Sequence, residues 1–433
     1  MTRSHHAYAG LARALELSPA AARFLVATAD LRERRTAGLP LVDRWFLCAE
    51  APGTEKYVVC DAGRHDPAAL AVPTVVEGDA HAVLEGLAIT AYAVGADRGH
   101  VYVSGDGAAM VASLVGALAE MHERELLGAN ILGSGFSLEI EVHELPAAAV
   151  CTEDMALIRA LMGGRADPIP RSTTPWGPGL FGQPTVISSA ETLAQVPRVL
   201  SAGLRSREGA AVGAERVACG DPNAGAESAA GGSESAAESL ATVGYTLAGD
   251  VARPGVVQMP RGVTLRELIF DAGGGVDSGV EFKAVQTGGV TGGWLPATAL
   301  DLPADDEHLR AAGSALGSGS LVVADSRSCA VDLARRSYAV IDDESCGLCV
   351  VCREGTMQMA EMLADIASGR AAGEDIDVLL ELARSLSITG PCEWGKAAAN
   401  PLLTALAHFR DEFQTHVQQK TCPAGVCAMD GGR

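Results

Sequence analysis

The sequence predicts a multidomain protein of mixed α/β and α+β class. It divides into an N-terminal α/β region, a small α+β module and a C-terminal helical bundle holding clustered cysteines. Three observations predict this. Strand-like and helix-like runs alternate from about residue 17 to 200, which is α/β order. A stretch of Ala, Gly, Ser and Glu from 205 to 240 offers almost nothing to pack and reads as a flexible linker. Beyond residue 328 the pattern is helical, and it is interrupted by three cysteines at C-x-x-C-x-x-C spacing. At 433 residues the chain exceeds what one hydrophobic core usually organises.

In chain order, Ser18-Pro19 opens a helix with a cap residue followed by proline at its first position. YVVCD (57–61) has the unbroken apolar character of a buried strand, and Asp79 can cap the mostly buried helix AHAVLEGLAITAYAVG. HVYVSG (100–105) is the next strand. A helix over 108–126 and the glycine-rich turn GANILGSGF lead to SLEIEVHEL, which alternates as a half-buried strand does. After the linker come YTLAGDV, GVVQMP, FKAVQTGG and SLVVADS as short strands around one helix, TLRELIFDAGG. Thr264 can cap that helix and Gly273 to Gly275 can end it.

Composition excludes several classes. Thirty-three Lys plus Arg against 54 Asp plus Glu leave a net charge of -21, which repels nucleic-acid phosphates and anionic lipid, so basic protein partners fit better. The first residues lack the apolar stretch of a secretory signal, and the most apolar helix candidate, Ala108 to Met121, is too short to span a bilayer. The expectation is a soluble, cytoplasmic protein without a transmembrane segment. Eleven cysteines, several closely spaced, suit metal or cluster binding in a reducing compartment better than a disulfide framework.

The strongest chemical signal is E-S-C-G-L-C-V-V-C-R-E-G, with Cys346, Cys349 and Cys352, followed by Cys392 in T-G-P-C-E-W-G. Three thiolates on a short loop reach three corners of a cubane, and a distant fourth ties it to another helix, so a [4Fe-4S] cluster is expected. Gly347 lets the backbone curve around the sulfurs. A helix starting near Arg353 would point its free amides back at the anionic cluster. Zinc is the competing reading, but zinc ribbons favour two C-x-x-C pairs.

ESCGLCVVCREGT and CEWGKAAANPLLTALAHFRDEF resemble the FMN-binding, NADH-oxidising subunit of respiratory complex I and the diaphorase subunits of NAD-linked hydrogenases and formate dehydrogenases. APGTEKYVVCDA, GANILGSGF, CTEDMALIRALMGG and GLFGQPTVISSAETLAQVP resemble that family in the same order. On either side of the linker 205–240, the resemblance implies an FMN/NADH-type domain over 1–204 and a ubiquitin-like β-grasp module of soluble-ligand-binding type over 241–326. A helical [4Fe-4S] domain over 327–417 and a cysteine-containing tail over 418–433 complete the division. It also implies an oxidoreductase subunit working with a thioredoxin-like [2Fe-2S] protein and ferredoxin-type chains.

The departures from the family fall on the FMN and NAD(H) site. The family loop G-R-G-G-A-G-F-P lets the flavin and its phosphate approach bare backbone, and here it reads L-R-E-R-R-T-A-G-L-P. Gly38 survives, while Glu33, Arg35 and Thr36 stand where the family has glycine, and Leu39 replaces an aromatic. The family's N-A-D-E becomes Asp61-Ala62-Gly63-Arg64. Thr152 replaces a glycine before the retained acids Glu153 and Asp154, and Ser188 and Ser189 replace paired asparagines. Arg44 is still placed to take a flavin phosphate. Gly38, Arg44, Asp61, Glu153, Ser188 and Ser189 therefore outline a degenerate FMN/NADH site, and the expectation is an electron-transfer subunit whose own NADH oxidation is lost or altered. The alternatives are a working FMN-dependent NAD(P)H diaphorase, and a non-catalytic docking or ligand-sensing subunit.

The remaining residues have plainer readings. Arg32, Arg34 and Arg35 read as a solvated charged turn, Trp45 as core, and Cys48, Cys60, Cys151 and Cys329 as buried small hydrophobes. His65 reads as a surface histidine. The tail TCPAGVCAMDGGR holds Cys422 and Cys427, a second metal site for zinc if His416 or a partner completes the shell. Its C-P-A-G-V-C resembles the hydrogenase-type branch of the family.

Overall fold

The computed structural model describes residues 8–34, 40–53, 55–168, 174–202 and 242–429. The chain forms two compact units. One comprises the chain up to Gly244; the other runs from Tyr245 onward and takes in Asp66–Ala69 and a short stretch from Asp167. The expected linker, 205–240, lies outside the described residues.

The first unit is built on four parallel strands: β1 (Tyr57–Ala62), β2 (Arg98–Ser104), β3 (Glu139–Leu145) and β4 (Thr185–Ser189), in the order β3-β2-β1-β4. The YVVCDA run is buried at every position, as a central strand covered on both faces requires, whereas β3 lies at the edge and keeps exposed glutamates. The helix Ala80–Val94 packs on the sheet. Asp79 caps it by accepting from the Ala82 amide at 3.0 Å, and Gly95, at φ 79°, ends it in the left-handed conformation. This helix fixes the segment after β4. A Cβ at Gly86 would fall 2.0 Å from the Leu193 carbonyl oxygen, so only glycine permits the short helix Ala190–Leu193 to approach this closely. From β1 the chain moves outward to β2 and β3, then returns to add β4 on the other side. Strand order therefore reverses between β1 and β4, and in open α/β sheets ligands bind in the crevice outside the strand ends at such a switch point.

The second unit holds a five-stranded sheet of β5 (Thr242–Gly249), β6 (Gly255–Pro260), β7 (Phe282–Thr287), β8 (Trp294–Pro296) and β9 (Ser320–Asp325). Their order is β6-β5-β9-β7-β8, with β5 and β9 parallel and β7 antiparallel to both β8 and β9. Thr264 and Glu267 form a reciprocal cap, the Glu267 carboxylate accepting from the Thr264 amide at 2.8 Å and Thr264 Oγ1 accepting from the Glu267 amide at 3.2 Å. The element that follows, Glu267–Ala272, has π rather than α bonding. β8 is not legible in the sequence, because WLP is too short for a periodic signal.

Six helices follow, Ala330–Asp343, Val350–Ala367, Asp375–Thr389, Glu393–Ala397, Asn400–His408 and Arg410–Gln414, then a π turn, Thr415–Gln419. Tyr338 donates to the Ala398 carbonyl at 2.8 Å, and Thr356 donates to Asp342 at 3.0 Å, which locks the second of these helices against the first. Among the described residues no helix is long and apolar enough to cross a membrane.

Candidate functional site

Cys346 and Cys349 lie between the helices Ala330–Asp343 and Val350–Ala367, and Cys352 lies within the second. Gly347 adopts φ 71°, the left-handed turn expected of it, and its carbonyl accepts from Arg353 at 3.0 Å. The helix begins at Val350 rather than near Arg353, so Cys349 is its cap residue and Cys352 lies in its first turn. Cys392 caps the helix Glu393–Ala397, its Sγ accepting from the Gly395 amide at 3.3 Å. A Cβ on Gly395 would lie 3.3 Å from Cys392 Sγ and 3.9 Å from Cys352 Sγ, so both sulfurs converge over a bare backbone. Two helix N-termini thus direct amides and positive dipole ends toward the thiols. Burial pushes the Cys352 thiol up to about 11; Ser345, 3.6 Å away, pulls it down, and the nearby Cys349 and Cys346 push it up. Cys346 and Cys349 are partly exposed while Cys352 and Cys392 are buried, which places the group at the surface.

A second donor group lies elsewhere in this unit. Cys329, His416, Cys422 and Cys427 bring their ligand atoms within 4.8 Å of one another. Cys329 Sγ lies 3.3 Å from His416 Nε2 and 3.6 Å from Cys427 Sγ, and His416 Nε2 lies 3.4 Å from Cys427 Sγ. His416 Nδ1 is 2.7 Å from the Glu412 carbonyl, a bond that commits Nδ1 to carrying the proton and leaves Nε2 to face the sulfurs. The Cys427 contact draws the Cys329 thiol well below its usual range, with His416 adding to the effect against burial.

The crevice at the β1/β4 switch point, in the first unit, is densely paired. Arg44 is buried and donates to the Ile187 carbonyl at 2.9 Å and to Asp154 at 3.1 Å. Asp61 accepts from the Gly63 amide at 2.9 Å and meets His65 Nε2 at 2.8 Å, and the His65 ring stacks on Tyr102 at 6° between planes. Glu33, 0% exposed, accepts from the Ser189 amide at 3.1 Å and the Thr192 hydroxyl at 3.4 Å. Arg34 donates to the Gly244 carbonyl at 2.7 Å and pairs with Glu191 at 3.6 Å. Burial pushes the Glu191 carboxyl up, Arg34 opposes this, and Glu33 reinforces it. Glu153 is the residue before the helix Asp154–Leu161, and the Ser188 Oγ is buried without a hydrogen-bond partner.

Three family models match segments of this chain: the Nuo51 FMN-binding domain over residues 26–198, the SLBB domain over 245–293, and the NADH-ubiquinone oxidoreductase-F iron-sulfur binding region over 332–416. The NADP-reducing hydrogenase subunit HndC of Solidesulfovibrio fructosivorans is 36% identical over 420 residues, covering 97% of this chain and 81% of that one. An F-type subunit of NADH-quinone oxidoreductase from Rhizobium meliloti is 36% identical over 417 residues, covering 96% and 93%. This chain belongs to the family of F-type NADH-quinone oxidoreductase subunits. Among solved structures, an NAD+-reducing [NiFe]-hydrogenase in its H2-reduced state matches with a TM-score of 0.80 at 26% identity; the match covers 97% of this chain and 66% of the length of that one.

This F-type chain therefore has a parallel-sheet FMN domain, an SLBB β module and a helical 4Fe-4S region. The iron-sulfur match contains Cys346, Cys349, Cys352 and Cys392 and excludes Cys329, Cys422 and Cys427. Three expectations about residue settings change. Cys329 is not an inert core thiol but part of the four-donor group, which spacing could not show because His416 lies 87 residues away. Arg34 is not solvated, with its guanidinium enclosed between Glu191 and the Gly244 carbonyl; Arg32 is half exposed as expected, and Arg35 and Gly38 lie outside the described residues. His65 is held inside the crevice by Asp61 and Tyr102 rather than lying on the surface. Arg44, expected to take a phosphate, pairs with Asp154 and donates to the Ile187 carbonyl of β4, contacts that do not test that role.

Proposed function

We propose that this chain is an electron-transfer subunit of an NAD(P)H-linked oxidoreductase assembly, carrying one [4Fe-4S] cluster on Cys346, Cys349, Cys352 and Cys392. The observation that carries this reading is the convergence of the loop thiols and Cys392 at two helix N-termini, inside the segment that matches the family's iron-sulfur region. Leu348, Val350 and Val351, interleaved with the cysteines, are exposed. A partly exposed cluster framed by apolar side chains suits docking of a next carrier, such as a thioredoxin-like [2Fe-2S] protein or a ferredoxin-type chain. A cytoplasmic setting accords with the reduced cysteines such a role needs.

FMN-dependent NAD(P)H oxidation within this chain is the second reading, and the relatives favour it: they are NADH-quinone oxidoreductase and NADP-reducing hydrogenase subunits, and the FMN-domain match is continuous. Arg44, Asp61, Glu153, Ser188 and Ser189, with Gly38, would then hold the flavin and NAD(H). The crevice argues against it. Arg44, Asp61 and the Ser189 amide are already bound to this chain's own groups, and the buried Glu33 carboxylate stands where a phosphate-bearing ligand would need donors, so FMN does not fit the residues present. Anaerobic purification separates the two readings. A reduced [4Fe-4S] resonance without extractable flavin supports the relay, whereas stoichiometric FMN with NADH-driven reduction of an artificial acceptor establishes the diaphorase.

The group Cys329, His416, Cys422 and Cys427 supports a zinc site distinct from the cluster. Its four donors crowd around one point, as a single tetrahedral ion requires, whereas a cubane spreads its thiolates over four irons. The backbone bond on His416 Nδ1 is the outer contact that zinc-ligating histidines use.

A further inference from the structure

We propose that Glu33 is an internal anion that takes the place of a ligand phosphate at the β1/β4 switch point and closes the crevice of the FMN domain from within. The inference deepens the relay reading and rests on it.

A ligand at a switch point approaches the ends of the strands on either side of the reversal, here Asp61 and Ala62 of β1 and Ser188 and Ser189 of β4. The backbone donor at the end of β4 is the Ser189 amide, and Glu33 occupies it at 3.1 Å. A side-chain hydroxyl in the segment that follows, that of Thr192, also donates to Glu33 at 3.4 Å, and the Ser189 and Thr192 hydroxyls bond each other at 2.8 Å. A buried carboxylate holds such donors as firmly as an external anion would, because every group involved is already out of water. It cannot be shared with a phosphate. Two anions in one poorly hydrated crevice repel strongly, and Glu191 adds a third carboxyl within Arg34's reach.

The segment is also anchored against opening. Arg34, the next residue, is clamped by Glu191 and the Gly244 carbonyl, so Glu33 does not swing out without breaking both bonds. The other cation at the end of β4, Arg44, donates to the Ile187 carbonyl and is paired with Asp154, so it does not recruit an anion. Among the described residues, the carboxyl groups of this crevice, Glu33, Asp61, Asp154 and Glu191, outnumber its arginines, Arg34 and Arg44, so an added anion meets an excess of acidic groups.

Fluorescence titration of FMN and of riboflavin, which lacks the phosphate, against the full cluster-containing chain tests this. The wild type should carry no extractable flavin and quench neither probe. Glu33→Gly, which removes both bulk and charge, should tighten FMN binding by about tenfold or more and riboflavin by less, the difference reporting the removed charge. Glu33→Gln keeps the shape and hydrogen bonds and removes only the charge, so it decides the question if the glycine variant fails to fold. Stoichiometric FMN on the wild-type chain, or FMN affinity unchanged in both variants, overturns the proposal. Failure of the relay reading is seen as a missing cluster resonance on dithionite reduction or as NADH-driven reduction of an artificial acceptor by the wild type; failure of the Glu33 proposal alone is seen as unchanged FMN affinity in both variants while the wild type keeps its resonance and oxidises no NADH.

Discussion

Replacing Cys392 with serine removes a thiolate whose Sγ is held by the Gly395 amide and faces Cys352 across a bare backbone. The three remaining cysteines all come from the segment 346–352. The expected outcome for Cys392→Ser is loss of the [4Fe-4S] resonance and a fall in bound iron from about four atoms per chain toward zero or three, measured by iron analysis and electron paramagnetic resonance. Unchanged iron and an unchanged spectrum would overturn the ligand assignment. At this scale the sequence is legible where chemistry is local. Cys346, Cys349 and Cys352 are read from spacing because three ligands on one loop must lie close together. Glu33 is visible as a departure from glycine, but its partners Ser189 and Thr192 lie 156 and 159 residues away, and pairing across such separations is a product of folding.

Among the elements, caps are the features most directly written in the chain. Asp79 is assigned from its residue type and position, and its carboxylate accepts from Ala82. Asp79→Ala should cost about 1 kcal/mol, read by chemical denaturation, without altering iron content. The sheet supplies a pH-dependent element that no motif announced. His100 on β2 and His143 on β3 lie 2.9 Å apart on adjacent strands, with Glu141, Arg98 and the Tyr57 ring around them. Burial pushes His100 down to about 4, the neighbouring His143 and Arg98 push it further down, and Glu141 opposes them. In the unfolded chain a histidine protonates near 6.5, so proton uptake favours unfolding below that value. The stability contributed is present above about pH 6.5 and lost as pH falls toward 4. Between pH 7 and 5 the wild type should lose about 1–2 kcal/mol more than His100→Gln in urea denaturation. Equal losses would show that His100 is not held neutral. Element boundaries are harder to read than element types. The helix expected near Arg353 starts at Val350, because Cys349 has an extended backbone and serves as the cap, a role residue-type preferences do not assign to cysteine.

Across the second unit, the four-donor group joins Cys329, just after β9, to His416 and to the tail cysteines, closing a loop of nearly one hundred residues. The proposed metal ion would stabilise the fold by tying distant segments together, since no such site exists in the unfolded chain. Elemental analysis should find about one zinc per chain alongside the cluster iron. Cys427→Ser should lose the zinc, keep the iron and the cluster resonance, and lower the melting temperature by several degrees. Iron in place of zinc at this site, lost with Cys427→Ser, would instead make it a second iron centre.

The sequence by itself determined the class of the protein, the order of most of its strands and helices, the family to which it belongs and the short loop that carries three of the proposed cluster cysteines. Each of these is set by residues within a few positions of one another, where hydrophobic period, capping and ligand spacing act directly. The tertiary structure alone decided that Cys329 lies among His416, Cys422 and Cys427, that Arg34, Arg44 and His65 pair with this chain's own groups, and that Glu33 accepts from Ser189 and Thr192. Those outcomes depend on which distant segments the parallel sheet and the helical bundle bring within hydrogen-bonding distance. Such contacts form between residues tens to more than one hundred positions apart, and no local pattern in the chain specifies them.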